Sequence, residues 1–310
     1  MENKNGNCFA LVTHKYNDFV RQQWIKLKLE LTDSSTKPFI MFDFSDKPSK
    51  EHDMALLIQD VNNGVISLEE MFLFDELVIR ESVEKIGYDL EYYEDIPKKS
   101  PLYYKALEAY INLRLKQKGY NVNFKYRPPR PNLFYGNIMT AYMYFFLRHP
   151  DYDYYWFKEW DVEYTGSWRY LIEKYDKIDD DFISRTAFAG TEYKKKWFHY
   201  GQWKTNTIEK FKDSEVIVTF NPLTRFSHRA LDYLDSLYRG GNSGFYELFL
   251  ATVLRRGGYK LGGFKEYGDL DLDGFVYLPR GKCLDTSKIE IKSNKLYHPI
   301  KKHIDFRINA

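Results

Sequence analysis

Glu159, Asp161 and Glu163 stand at alternate positions directly after an aromatic run, Tyr152 to Phe157, and just ahead of Gly166. Side chains two apart on an extended chain project to one side, so a strand ending here would present three carboxylates together. In open α/β sheets ligands bind beyond the carboxyl ends of the strands, which is where such a cluster would emerge. Hard divalent cations take oxygen ligands, and Mg²⁺ or Mn²⁺ is commonly held by one or two carboxylates plus the phosphates of a substrate. The spacing therefore suits a cation that grips a nucleoside diphosphate. Solvated acids on an exposed strand end are the plainer alternative.

Two further residue types could do chemistry without reference to that cluster. Glu247 begins the helix expected over Phe245 to Arg256, where Leu250, Ala251 and Leu254 continue its face and Phe245, Leu248, Phe249, Thr252 and Val253 form a second apolar stripe. A carboxylate heading an apolar face is partly desolvated, and its pKa rises toward the range of a general base. An acid in a first helical turn also complements the helix dipole, so both readings stand. Arg225 has the fork geometry that pairs a phosphate bidentately, and it could equally serve a structural ion pair.

Around these residues strands and helices alternate. Phe9 to Thr13 is a short β-rich run, and Phe19, Trp24, Leu27 and Leu31 then recur at near-helical spacing. Phe39 to Phe44 is a second strand carrying Asp43 near its end. A helix is expected over Tyr103 to Lys118, an extended or turning segment over the proline-rich run Arg127 to Pro131, and a helix over Asn137 to Leu147. Tyr152 to Phe157 and Val216 to Phe220 are further strands; Ser227 to Tyr238 is a helix, with a flexible loop at Gly240 to Gly244. That order predicts an α/β protein with a central mixed sheet flanked by helices, in one continuous domain over 1–310.

The acidic block resembles the metal-binding acid motif of GT-A glycosyltransferases. Its run from Trp156 to Gly166 is similar to a W-x-x-E-x-D-V-x-Y-x-G pattern found in a fungal family of uncharacterised glycosyltransferases. The stretches Asn221 to His228 and Asn242 to Lys260 resemble the acceptor half of the same enzymes. The likeness covers about half the chain in separate blocks. It implies a GT-A-like, Rossmann-like fold whose first half, to about residue 166, binds the nucleotide-sugar donor and whose second half binds the carbohydrate acceptor. Asp161 and Glu159 would hold Mn²⁺ or Mg²⁺ on the donor diphosphate; this chain has Glu159 where an Asp is usual, so the metal role falls first on Asp161. Thr13, His14 and Asp43, near the ends of the first two strands, would meet the nucleoside. His298, late in the chain, would add a ligand, for which imidazole suits Mn²⁺ better than Mg²⁺. The reaction implied is hexosyl transfer onto a glycan or surface polysaccharide, inverting if Glu247 is the base.

Composition bounds these readings. A chain of 310 residues with 44% hydrophobic and 18% aromatic residues builds a large core rather than a disordered coil. A net charge of +2 argues against a protein that lives by neutralising nucleic-acid phosphates. Basic stretches from Pro101 to Arg130 and from Lys282 to Arg307 leave room for peripheral contact with an anionic membrane face. Two cysteines without C-x-x-C spacing and the absence of a signal-length apolar run predict a cytoplasmic protein. The competing classes are a non-catalytic glycan-binding protein, which uses the aromatics and leaves the acids idle, and a metal-dependent phosphoesterase. The latter usually needs more His and Asp ligands than the seven scattered histidines offer. No GxxxxGK[ST], GxGxxG, HExxH or GxSxG motif is present.

Overall fold

The computed structural model describes residues 6–45, 51–89, 138–186, 188–189, 199–278 and 282–301, with positions 109 and 113. Apart from positions 109 and 113, the helix expected over Tyr103 to Lys118 lies outside the described residues, as does the proline-rich run Arg127 to Pro131. The first half contains β1 (Asn7–Thr13), α1 (Asp18–Leu31), β2 (Thr36–Asp43), α2 (Glu51–Asn62), β3 (Met71–Phe74), α3 (Glu76–Glu84), α4 (Ile138–Arg148), β4 (Tyr154–Glu159) and β5 (Glu163–Tyr164). Next come α5 (Trp168–Tyr175), β6 (Phe182–Ser184), β7 (Phe188–Ala189), β8 (Trp203–Lys204), β9 (Ile217–Val218) and β10 (Leu223–Ser227). The chain ends through α6 (His228–Arg239), β11 (Ser243–Gly244), α7 (Tyr246–Arg256), β12 (Leu261–Gly263), β13 (Leu270–Phe275) and β14 (Leu296–His298).

Among the described residues seven strands form one sheet, in the order β12-β6-β10-β4-β1-β2-β3. β3, β2, β1 and β4 run parallel, β10 runs against β4 and β6, and β12 is parallel to β6. Strand alternation sorts the side chains into two cores. Cys8, Ala10 and Val12 of β1, with Tyr155 and Phe157 of β4, pack under α4, α6 and α7. Phe9 and Leu11, with Trp156, pack under α1 and α5. The mixed sheet flanked by helices that the sequence predicts is thus present, with strands drawn from both halves of the chain.

Local chemistry sets the element ends. Asn17 accepts from the Val20 amide at 3.1 Å and so starts α1; Ser227 does the same for α6 through the Ala230 amide at 3.2 Å. α7 is buried all round from Leu248 to Leu254 instead of on one stripe, because β9 and α6 both pack against it.

Two expectations are corrected, and one strand is added to those read from the sequence. Leu223–Ser227 is a central strand although Thr224, Arg225 and Ser227 are polar; all five residues are buried between β4 and β6. Ser243–Gly244, expected as loop, pairs with Trp203–Lys204. The acidic block is not one strand: β4 stops at Glu159, the chain turns with Val162 N–H donating to Glu159 O at 3.1 Å, and it resumes as β5 in another sheet.

Candidate metal and diphosphate site

The sheet itself selects the place. β2 and β3 lie to one side of β1 and β4 lies to the other, so the strand order reverses between β1 and β4, and the crevice at such a reversal is where open α/β sheets bind ligands. Val12 pairs with Glu159 in register, and Trp160 N–H donates to Val12 O at 3.0 Å, so the acidic turn sits at the mouth of that crevice beside Thr13 and His14.

His298 arrives there from 137 residues further along than Asp161 through a small second sheet, in which β14 pairs with β5 and with β13. Tyr297 stands opposite Glu163, His298 opposite Phe275, and Ile300 N–H donates to Asp161 O at 2.7 Å. Ligand atoms of Glu159, Asp161 and His298 then lie within 4.8 Å of one another. Neighbouring ligands around a shared Mg²⁺-sized ion stand about 3 Å apart, and opposite ones about 4 Å, so the three groups would draw slightly closer around an ion.

The histidine is oriented for this role. Its Nδ1 is 3.0 Å from Val276 O, and a carbonyl only accepts, so the Nδ1 proton is committed there. Nε2 is left facing Asp161 Oδ1 at 3.5 Å. Phe220 and Phe275 hold the ring, with centroids at 5.3 and 5.6 Å. Two carboxylates and an imidazole nitrogen converge, which is a donor set for a divalent cation.

Charge is divided unequally within the cluster. Burial pushes the Glu159 carboxyl up, and the neighbouring charges of Asp161 and Glu247 add to this, to about 8. Asp161 is also buried, yet His298, Lys301 and Lys158 together outweigh that effect and hold its carboxyl below the usual range. Lys301 Nζ lies 3.7 Å from Asp161 Oδ2, and Lys301 and Lys15 both stand over the Trp160 ring, at 5.8 and 5.4 Å. Trp160, edge-on to His14 at 5.8 Å, thus gathers two ammonium groups at the crevice.

Glu247 belongs to the same region: its charge acts on Glu159, its main chain accepts from the Thr219 amide at 2.8 Å, and the Asn221 amide bonds its carboxylate. Burial dominates over the bonds that the Tyr246 side chain and the Asn221 main chain make to the carboxylate and drives it to about 8. Asn221 is 1% exposed, and among the described residues neither atom of its side-chain amide has a hydrogen-bond partner.

Of the residues singled out in the sequence, Glu159, Asp161, His298 and Glu247 come together. Thr13 and Asp43 sit at the carboxyl ends of β1 and β2, where Thr13 Oγ1 bonds Lys15 O at 2.6 Å and Asp43 Oδ1 accepts from Ser45 N at 2.9 Å. Arg225 does not join them. It is fully buried beneath α5, where it donates to the carbonyls of Tyr175, Ile178 (2.8 Å) and Asp180 (2.7 Å), and its guanidinium lies 4.2 Å from the Tyr154 ring centroid. Both terminal nitrogens are spent on backbone carbonyls beneath α5. Glu163 likewise turns away to Lys26 at 2.9 Å. Gly166 closes the block for a packing reason, since a Cβ there would come within 2.3 Å of Asn294 Oδ1.

Sequence reasoning missed Lys301, Trp160 and Asn221 as site residues. Lys301 follows His298 by three positions and Trp160 lies between the two acids, so position was a usable signal for both. Asn221 offered none.

Fold and site together define an α/β protein with two carboxylates and an imidazole that could hold a metal ion, clustered at the switch point of its sheet. No family model matches the chain, and no curated protein matches it. It is similar to solved glycosyltransferase structures. Mouse xyloside xylosyltransferase 1 in its apo form aligns over 94% of this chain and 96% of that one, at 12% identity and a TM-score of 0.35. The galactosyltransferase LgtC, in complex with donor and acceptor sugar analogues, aligns over 83% and 72%, at 10% identity and a TM-score of 0.31. No helix among the described residues is long and apolar enough to cross a membrane.

Proposed function

We propose that the protein is a glycosyltransferase that moves a sugar from a nucleoside-diphosphate sugar onto a carbohydrate hydroxyl, with inversion. The observation that carries this reading is the convergence of Glu159, Asp161 and His298 within 4.8 Å at the switch point of the sheet, with Lys301 and Lys15 alongside. Glu159, Asp161 and His298 would hold Mn²⁺ or Mg²⁺, which when bound supplies positive charge for a diphosphate. Thr13, His14 and Asp43 line the strand ends where the nucleoside would lie.

The chain's own groups account for the rest of the chemistry. Glu247, poised near pH 8, accepts the proton of the acceptor hydroxyl as its oxygen bonds to the anomeric carbon. The bond from that carbon to the diphosphate oxygen breaks, the electron pair leaves with the diphosphate, and Lys301 and Lys15 offset the charge that develops. A base and a leaving group on separate sides of the anomeric carbon give inversion. The first part of the chain, to about residue 166, supplies most of the donor side, where His298 and Lys301 of the second part join it, and the second part also supplies Glu247 and the acceptor side.

Thermal stabilisation by UDP and GDP, each with and without Mn²⁺, tests the reading. A binder of nucleoside diphosphates is stabilised by about 2.7 kcal/mol at a hundredfold excess over Kd, and here that stabilisation should require Mn²⁺ and vanish in Asp161→Asn without loss of the apo fold. Stabilisation independent of metal, or its persistence in Asp161→Asn, would overturn the proposal.

A further inference from the structure

Tyr142 of α4 is buried, 2% exposed, and its ring lies flat on Phe157 with centroids 4.0 Å apart and planes 2° apart. Phe157 and Glu159 are two apart on β4 and project to the same face, so the phenol sits next to the carboxylate that opens the cation site. The Glu159 charge acts on the hydroxyl. Yet among the described residues that hydroxyl has no hydrogen-bond partner. Beyond Glu159, Pro222 O accepts the Glu159 amide at 2.8 Å, which sets Asn221 and its two unpartnered amide atoms close by, with the Asn221 main chain bonded to Glu247.

Buried hydroxyls and amides are almost always paired; eleven buried side-chain N or O atoms among the described residues lack a hydrogen-bond partner, and what sets these three apart is their place beside the carboxylates of Glu159 and Glu247. Structure alone does not require them. A phenylalanine would keep the stack on Phe157 equally well without a polar atom to desolvate. What matches the set is a ligand whose groups both donate and accept, at several adjacent points: a polyol, which is the chemistry of a sugar ring.

Resting on the glycosyltransferase reading above, we propose that the Tyr142 hydroxyl hydrogen-bonds a hydroxyl of the transferred sugar and is a specificity-determining residue of the donor pocket. The Asn221 amide meets the same ring from the other side of Glu159. Sites built to pair a substrate hydroxyl discriminate strongly against ligands that lack it, because the protein group is then left unpaired.

Tyr142→Phe tests this with isothermal calorimetry in Mn²⁺, using UDP and GDP beside UDP-glucose, UDP-galactose, UDP-N-acetylglucosamine and GDP-mannose. In the wild type at least one sugar nucleotide binds more tightly than its parent diphosphate. The variant should lose about tenfold or more of that gain and bind UDP or GDP unchanged. Its melting temperature without ligand should be equal or higher, since an unpaired buried hydroxyl has been removed. An unchanged ratio of sugar nucleotide to diphosphate, a wild type in which no sugar improves on its diphosphate, or a lower melting temperature for the variant overturns the inference. Failure of the wild type to bind UDP or GDP with Mn²⁺ is a separate outcome, which sinks the glycosyltransferase reading itself.

Discussion

Glu247→Gln should make the metal-free protein more stable at neutral and alkaline pH, by an amount that grows with pH up to about 8. The carboxyl has an ordinary value of 4.5 and is raised to about 8 by burial in the folded chain. Between those values the folded state holds a proton that the unfolded state has released, so stability falls as pH rises, by about 1.4 kcal/mol per pH unit for one such group. Below the lower value nothing is lost, and above the upper value the deficit is constant. At pH 7 the wild type has lost about 3 kcal/mol through this residue, a large part of a marginal total stability. Glutamine has the same shape and no charge to desolvate, so the variant should escape the loss. Part of the elevation of Glu159 comes from the Glu247 charge, so the slope that remains should also shift to lower pH. Urea denaturation midpoints at intervals from pH 5 to 8.5, with EDTA to strip cations, read this directly. Wild-type and variant curves that run parallel across that window would refute the burial argument, and with it the placement of a base beside the crevice.

The same Glu247→Gln variant should bind UDP or GDP with Mn²⁺ as the wild type does, yet lose transfer activity at every pH; residual turnover with an unshifted pH profile would mean that another group takes the proton. Arg225→Met should destabilise the fold by about 3 kcal/mol or more, because several buried carbonyls lose a charged donor, and should leave diphosphate affinity unchanged in whatever protein remains folded. A loss of affinity at constant stability would instead return Arg225 to the phosphate role. Lys301→Met should weaken Mn²⁺-dependent binding of UDP or GDP by about tenfold at low ionic strength and less in high salt; equal titrations of variant and wild type would remove Lys301 from the site.

Much of the sheet was legible because its signal is local. Runs such as Phe9 to Thr13 and Phe39 to Phe44 are apolar on both faces, as strands covered by helices on both sides must be, and α1 shows its buried Phe19, Trp24, Leu27 and Leu31 at helical spacing. Glu159 and Asp161 needed only proximity in sequence to be paired. β10 was hidden because Thr224, Arg225 and Ser227 look like surface residues until their partners are known: Ser227 bonds Asp181 at 2.8 Å, and Arg225 takes up backbone carbonyls.

The sequence by itself determined the α/β alternation and the carboxylates that follow the strand, since both depend on spacing along a few residues. Only the tertiary structure decided which of those carboxylates act together. Pairing of β14 with β5 carries His298 and Lys301 to Asp161, whereas Lys26 draws Glu163 away and α5 absorbs Arg225. It also set Tyr142 near Glu159 with no hydrogen-bond partner for its hydroxyl among the described residues. Burial and partner choice arise from contacts between distant segments, and a carboxylate, an arginine or a tyrosine carries no mark in the chain of whether it will be matched, screened or left to wait for a ligand.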